Sequence, residues 1–179
     1  MLKSYPRGLI HLKIAILGHS GSGKSTLAKQ LAGIYKIPLL FLDTIQFESN
    51  WKEREFDESQ KLVAAFMKQD SWVIDGNYTK FFQSERLLAA DQIIYMDFPR
   101  RVCLYQVLKR YFKFKNQTRD SISNGCIEKI DFEFIWWILH EGRTKSRRSH
   151  YKQMIDDYKD KIIVLKNKKQ VESFLFNGH

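Results

Sequence analysis

A glycine-rich run near the beginning of the chain has the residue types and spacing of a phosphate-binding loop. Residues 18–26 read GHSGSGKST, which fits the pattern G-x-x-x-x-G-K-[ST] between an apolar β-type run and a helical segment. Glycines let successive backbone N–H groups converge on one anion, and the helix that follows adds its partial positive charge at the same place. A glycine-rich turn that only joins strand to helix is the alternative, and the coincidence of glycines, Lys24, Ser25 and both flanking patterns disfavours it.

These residues predict a site for ATP and Mg²⁺. The loop positions expected to contact the nucleotide are Gly18, Ser20, Gly21, Ser22, Gly23, Lys24, Ser25 and Thr26. Lys24 is expected to reach the β- and γ-phosphates, where it would also serve catalysis by neutralising charge, and the Ser25 hydroxyl is suited to coordinate Mg²⁺. His19 receives no acid–base role, because the motif tolerates any residue at that position.

Two aspartates follow short apolar runs and are candidates for the remaining chemistry. Asp43 follows Leu40–Leu42 and is expected to bind or activate the hydroxyl of an acceptor; capping of a turn is the alternative. Asp75 follows Trp72–Ile74, where it is placed to hold Mg²⁺ through water, and Gly76 lets a substrate approach the backbone. A simple Asx-turn is the alternative for Asp75, and Asp97 competes for the metal role in second place.

The positive charge is concentrated in residues 100–152. The whole chain has 30 basic and 20 acidic residues, and this stretch alone has 13 basic and 5 acidic ones. Such a surface predicts a polyanionic partner, either the phosphates of a nucleotide or nucleic acid. We expect two or three of five arginines to touch phosphate, a solvated basic face being the alternative for each: Arg110, Arg119, Arg143, Arg147 and Arg148.

The pattern of apolar runs predicts one α/β domain over residues 1–179. Short β-type runs alternate with segments of helical spacing, which is typical of a parallel sheet covered on both faces. The helix that begins near Arg101 is expected to bury Val102, Tyr105 and Leu108. Within the basic insertion 100–152, the polar residues 116–129 are predicted to form a lid loop, followed by one helix from Asp131 to about Tyr158.

Composition excludes several other classes of protein. The two cysteines match no metal or redox spacing, which favours a reducing, cytoplasmic location. No apolar run has the roughly 18 residues that a membrane span needs, and Met1–Lys13 lacks the apolar stretch of a signal peptide. We therefore expect no membrane partner, and the oligomeric state is left open.

Several motifs together resemble the bacterial DNA topology modulation proteins, small P-loop proteins similar to adenylate kinase. The resemblance runs from about Lys13 to Leu175 and includes WVIDGNY at 72–78, ADQIIYMDFPR at 90–100 and GCIE at 125–128. It implies a three-layer α/β/α P-loop NTPase fold with a five-stranded parallel sheet in the order 2-3-1-4-5 and a lid-like helical insertion.

The same resemblance implies roles for individual residues. Asp75-Gly76 falls on the acceptor and metal-water site of the kinases, and Arg110 and Arg119 fall where those enzymes keep phosphate-binding, catalytic arginines. Asn77-Tyr78 replaces the Phe-Pro-Arg of the kinases, and Arg86 is a candidate to replace the missing arginine. The acceptor is thus expected to contact Asp43, Asp75, Gly76, Asn77 and Arg143.

Two functions of different classes follow. The first is transfer of the γ-phosphate of ATP to a small acceptor, with Lys24, Asp43, Arg110 and Arg119 in catalytic roles and the lid excluding water. The second is a nucleotide-regulated, DNA-associated protein with weak or no kinase activity, which predicts duplex binding that weakens steeply with salt. A weaker third hypothesis is an ATP-binding protein with negligible turnover.

Overall fold

The computed structural model describes residues 11–115 and 117–176. Residues 1–10, and Asn116 at the start of the predicted lid loop, lie outside this range. The strands are β1 (Lys13–Gly18), β2 (Leu39–Phe41), β3 (Trp72–Asp75), β4 (Gln92–Met96) and β5 (Ile162–Leu165). The helices are α1 (Lys24–Tyr35), α2 (Leu42–Gln46), α3 (Phe56–Met67), α4 (Gln83–Ala89), α5 (Arg100–Phe114), α6 (Phe132–Leu139), α7 (Lys145–Asp157) and α8 (Lys168–Phe176), with 3-10 turns at Ser49–Trp51 and Glu141–Arg143.

All five strands pair in parallel in the order β2-β3-β1-β4-β5, which confirms the predicted fold and strand order. Ile14 of β1 is paired with Val73 on one side and Gln92 on the other, so the first strand lies at the centre of the sheet. Its residues from Ile14 onward are buried. This placement explains why the strands read as short, continuous apolar runs rather than alternating ones.

Helices cover both faces of the sheet and form three layers. Alternate strand residues divide the core into two clusters, one under α1, α5 and α8 and one under α3, α4 and α7. Buried helical side chains are Leu27, Leu31, Cys103 and Val107 on the first face and Val63, Leu87 and Met154 on the second. The phosphate-binding motif therefore emerges from the central strand, at the carboxyl edge where open α/β sheets bind their ligands.

Two helical predictions were wrong. The stretch 131–158 is not one helix, because the backbone turns at His140 (φ −129°, ψ −68°) and α7 starts afresh after Thr144, whose side chain accepts a hydrogen bond from the Arg147 N–H. On α5 the buried residues are Cys103 and Val107, while the predicted stripe at Val102, Tyr105 and Leu108 is exposed. Apolar residues occur along more than one face of α5, so the sequence pattern did not decide which face is buried. Packing against the phosphate loop buries the face with Cys103 and Val107.

Residues 117–129, called here the insertion loop, have little regular structure. Isolated bridges join Lys115 to Glu128 and Thr118 to Ile127, so the two ends of the loop run side by side. No helix in the described part of the chain combines the length and apolar character needed to span a membrane.

Candidate functional site

The phosphate loop has a conformation that its glycines make accessible. Gly21 (φ 80°) and Gly23 (φ 94°) lie in the left-handed region, which favours glycine. A Cβ atom on Gly21 would lie 2.5 Å from the Cys103 carbonyl oxygen of α5, so the loop and that helix are in direct contact. Asn77 fixes the beginning of the loop, because its amide accepts a hydrogen bond from Gly18 N–H (3.0 Å) and donates one to Gly18 C=O (2.7 Å).

The loop leaves a set of hydrogen-bond donors unused. Backbone N–H groups that donate to no partner within the described residues are those of Ser20, Gly21, Gly23, Lys24 and Ser25. Ser22 uses its N–H on the His19 carbonyl (3.1 Å), but its hydroxyl is buried without a partner. Thr26 instead donates its N–H to Gly23 C=O. Unpaired donors at a helix N-terminus fit the oxygens of a phosphate chain.

Lys24 and Ser25 lie at the first turn of α1, where the motif requires them. The Lys24 ammonium spans the loop and donates to the His19 carbonyl (3.1 Å). The Ser25 hydroxyl donates to Asp75 Oδ2 at 2.7 Å, while Asp75 Oδ1 is buried without a partner. A hydroxyl beside a carboxylate with a free oxygen is a donor set that suits Mg²⁺, so the residues present fit the metal predicted from the sequence.

Burial raises the pKa of Asp75 to about 6, against the lowering effect of Lys24 and of the Ser25 hydrogen bond. The carboxylate is thus held in a site that penalises its charge while no cation is bound. Asp43 adds to this rise through its own negative charge. The two predicted acidic residues therefore share one electrostatic environment.

Asp43 lies in the first turn of α2 rather than at the end of β2. Its Oδ1 accepts a hydrogen bond from the Tyr78 hydroxyl at 2.8 Å. Burial first, and then the Asp43 charge, raise the pKa of Tyr78, so the phenol stays a donor. Sequence reasoning missed Tyr78, although it belongs to the DGNY motif and replaces a residue of the kinase pattern.

The turn after β3 is held by a buried arginine. Arg86 is fully buried and donates to the carbonyls of Phe81 (2.8 Å), Tyr78 (2.8 Å) and Gly76 (3.3 Å). Burial lowers its pKa to about 10, which leaves it charged at neutral pH. The suggestion that Arg86 replaces the missing kinase arginine is wrong, since its guanidinium is committed to backbone carbonyls. Gly76 packs against α2, where an added Cβ would lie 2.8 Å from that of Leu42.

Arg110 and Arg119 share one buried carboxylate. The Nε atoms of Arg110 and Arg119 lie 2.7 Å and 2.5 Å from the two oxygens of Glu128, whose side chain is 2% exposed. The positive charge of Arg119 lowers the pKa of Asp75, and the negative charge of Asp43 counteracts the burial that lowers the pKa of Arg110. Arg119 therefore lies within electrostatic range of Asp75, and Arg110 within electrostatic range of Asp43.

The insertion loop is docked on the segment that follows β2. Ser123 Oγ donates to the carbonyls of Thr44 and Phe47, and Cys126 Sγ donates to Glu48 C=O (3.0 Å). Trp51 returns two hydrogen bonds, from its N–H to Cys126 Sγ (3.3 Å) and from its indole to Ile127 C=O (3.0 Å). The loop and residues 44–51 thus form one continuous wall.

The other arginines of the basic stretch are placed differently. Arg143 donates through Nη2 to Phe98 C=O (2.6 Å) and to Cys103 Sγ (3.3 Å), and its buried Nε has no partner. The guanidinium of Arg147 lies 4.4 Å from the ring centroid of Trp137, and Arg148 is exposed. Helices α6 and α7 border an open cavity of about 450 Å³ beside the phosphate loop. Its lining includes Ser20, Thr79, Arg147 and His150.

Sequence comparisons relate the chain to P-loop, kinase-like proteins. The family model described as "ABC transporter" matches residues 11–131. An adenylate kinase of Bartonella tribocorum is 26% identical over 121 residues, which cover 66% of this chain but only 61% of that relative's length. An adenylate kinase of Bartonella quintana is 24% identical over 164 residues, with 86% of this chain and 84% of the relative covered.

Among solved structures, a shikimate kinase from Bacteroides thetaiotaomicron has a TM-score of 0.49 and 16% identity, with 93% of this chain and 95% of that chain covered. The predicted likeness to P-loop, kinase-like proteins is supported by these sequence matches. The narrower resemblance to DNA topology modulation proteins stays a prediction.

Proposed function

The chain belongs to the P-loop family whose model is described as "ABC transporter", and from this premise we propose that it transfers the γ-phosphate of ATP to a small acceptor. The observation that carries the proposal is the juxtaposition of two half-sites. On one side the phosphate loop offers unpaired N–H donors and Lys24. On the other, Arg110 and Arg119 are joined through Glu128, and each lies within electrostatic range of one of the two aspartates, Arg119 of Asp75 and Arg110 of Asp43. Binding alone would need only the first of these.

Each residue then has a defined task. Loop N–H groups and Lys24 hold the β- and γ-phosphates in a fixed orientation, which lowers the entropic part of the barrier. The Ser25 hydroxyl and the Asp75 carboxylate, acting through water, would hold Mg²⁺. When bound, this ion would supply positive charge that neutralises the phosphate oxygens.

Asp43 is the proposed contact for the acceptor hydroxyl. Its Oδ1 is occupied by Tyr78, so the second oxygen is the one that would accept the acceptor proton. Arg110 and Arg119 would stabilise the charge that spreads over the transferred phosphoryl group. Asp75 and Gly76 line the acceptor side at the end of β3.

Asn77 and Arg143, also expected to bind the acceptor, form hydrogen bonds to Gly18 and to the Phe98 carbonyl, respectively. We assign them the indirect role of fixing the phosphate loop and the start of α5. The insertion loop, docked over residues 44–51, would keep water from the acceptor side. Location in the cytoplasm and association with DNA stay predictions.

Substituting the loop lysine tests the proposal. Lys24→Ala should lower transfer of phosphate from ATP by about 10³-fold, because one preorganised cation at the developing charge is lost. Lys29→Ala on the same helix is the matched control, since the Lys29 ammonium pairs with the exposed Asp120 and lies over the Phe41 ring rather than in the phosphate loop. Transfer is measured with labelled ATP against nucleoside monophosphates, nucleosides and polyols, and circular dichroism checks the fold. An unmodified chain that labels none of these acceptors would rule out the proposed reaction.

A further inference from the structure

We propose that Glu128 is a positioning residue that holds Arg110 and Arg119 as a pair for the transferred phosphoryl group. The inference rests on the proposed function and deepens it. Glu128 is the last residue of the GCIE motif at 125–128. The roles proposed for the phosphate loop, Asp43 and Asp75 give this motif no function. Its carboxylate is the most buried acidic side chain among the ion pairs of the described residues.

The first argument is the way the two guanidiniums are bound. Glu128 receives both hydrogen bonds from Nε atoms, one on each carboxylate oxygen. This leaves the Nη groups of Arg110 without a partner in the described chain, while Arg119 uses Nη1 on Ser121 Oγ (3.2 Å). The terminal edges of the arginines are those that form paired hydrogen bonds to phosphate.

The second argument is charge. Burial first, and then the positive charge of Arg119, lower the pKa of Arg110, and Glu128 acts in the opposite direction. Two guanidiniums that repel each other at a mostly buried site need a shared carboxylate to stay together. Two positive charges and one negative charge leave a net positive charge, which is complementary to an anionic group.

The third argument is anchoring. Glu128 donates its N–H to Gln117 C=O (3.1 Å), which ties the two ends of the insertion loop together. Cys126 and Ile127, next to it in the chain, are bonded to Glu48 and Trp51. The carboxylate is therefore fixed to the wall that faces the acceptor side, and it fixes the arginines to that wall in turn.

The experiment uses MgADP with aluminium fluoride as a mimic of the transferred phosphoryl group and MgADP alone as the ground-state probe. In Glu128→Gln, we expect the Kd of the mimic to rise about 10- to 100-fold, because displaced donors no longer match it. The Kd of MgADP alone should stay within about twofold, because the phosphate loop is untouched. Isothermal titration measures both. Glu133→Gln is the matched control, the same change at an exposed position of α6.

Glu128→Asp provides a second variant that keeps the charge. The shorter side chain can reach one arginine at a time, so we expect a Kd of the mimic between that of the unmodified chain and that of Glu128→Gln. If Glu128→Gln does not fold, the Glu128→Asp variant tests the proposal in its place. Equal weakening of the mimic and of MgADP would show a purely structural role and overturn the proposal. Unchanged binding of the mimic would overturn it as well.

The proposed function fails in a different way. If aluminium fluoride does not tighten MgADP binding to the unmodified chain, phosphoryl transfer itself is wrong, and the positioning role falls with it. If the mimic binds the unmodified chain and Glu128→Gln equally well, only the role of Glu128 is wrong.

Discussion

The phosphate loop and the insertion loop differ in whether their polar groups find partners within the protein. Residues 18–25 leave backbone donors, the Ser22 hydroxyl and one Asp75 oxygen without partners. In residues 117–129, Arg119 is bound to Glu128, and the side chains of Ser123 and Cys126 are bound to residues 44–51. The donors of the first region remain available to a ligand, whereas the Glu128 carboxylate, the Ser123 hydroxyl and the Cys126 thiol of the second are bound by the protein.

This difference shows where stability and function oppose each other. Unpaired buried polar groups cost free energy unless a ligand satisfies them, so the Ser22 hydroxyl and the Asp75 oxygen lower the stability of the phosphate-binding region. In the Arg110–Glu128–Arg119 cluster, by contrast, both oxygens of the buried carboxylate are hydrogen-bonded. Substitutions in the two regions should therefore change stability in opposite directions.

Among the substitutions that test this comparison of the two loops, the largest effect is expected at Asp75. Asp75→Asn should lower transfer by about 10²-fold or more, since a preorganised negative charge that holds Mg²⁺ is lost. It should also raise the free energy of unfolding of the ligand-free protein near pH 7.5 by about 2 kcal/mol, because an ionised carboxylate no longer has to be buried.

The pH dependence of the stability difference between Asp75→Asn and the wild type tests its sign. The pKa of Asp75 is raised to about 6 in the folded protein, so its charge costs stability progressively as the pH rises from about 4 to about 6. The advantage of the variant should be complete above pH 6 and absent near pH 4, in urea titrations with chelator. A variant that is less stable at pH 7.5 would contradict the comparison of the two loops.

His19 sharpens the comparison, because it lies in the phosphate loop but is satisfied by the protein. Its Nε2 lies 3.3 Å from Asp97 Oδ1 and 3.4 Å from the Tyr95 hydroxyl, and Tyr151 packs edge-on against the ring. Burial first, then Arg143 and Lys24, lower its pKa to about 4, although Asp97 acts in the opposite direction.

The unfolded chain therefore takes up the His19 proton at a higher pH than the folded one. Stability from this residue is complete above about pH 6.5 and is lost as the pH falls toward 4, by about 2 to 3 kcal/mol. Unfolding free energies of the wild type and His19→Gln between pH 4.5 and 7.5 should converge as the pH falls. Parallel curves would mean that the ring is not buried in its neutral form.

The smallest effect compares two glycines. Gly125→Ala should destabilise by about 1 kcal/mol, because φ is 83° there and a Cβ is strained in that region. Gly33→Ala, in α1 with no heavy atom within 4 Å of the added Cβ, should stabilise by about 0.5 to 1 kcal/mol. Urea midpoints measure both changes. A stabilising Gly125→Ala would show that the insertion loop is not docked in this conformation.

Sequence patterns predicted what depends on neighbours in the chain. The alternation of strands and helices follows from short apolar runs, and the phosphate loop follows from one short motif. The predicted buried face of α5 was wrong because the apolar residues of this helix fit two faces. Only the packing of α5 on Gly21 decides between those faces.

The contacts that complete the site join residues far apart in the chain. Asn77 is 59 positions from Gly18, Tyr78 is 35 from Asp43, and Cys126 is 78 from Glu48. A pattern of residue types carries no information on such pairs. The GCIE motif was conspicuous in the sequence, but the shared carboxylate between two arginines becomes visible only when the insertion loop is folded.

The buried guanidinium of Arg86 has a mechanical consequence. By gathering the carbonyls of Gly76, Tyr78 and Phe81 on one planar group, it makes residues 76–81 a rigid extension of α4. Rearrangement around an incoming molecule is then confined to the opposite wall, and the pivots of any closure have to lie outside residues 76–89.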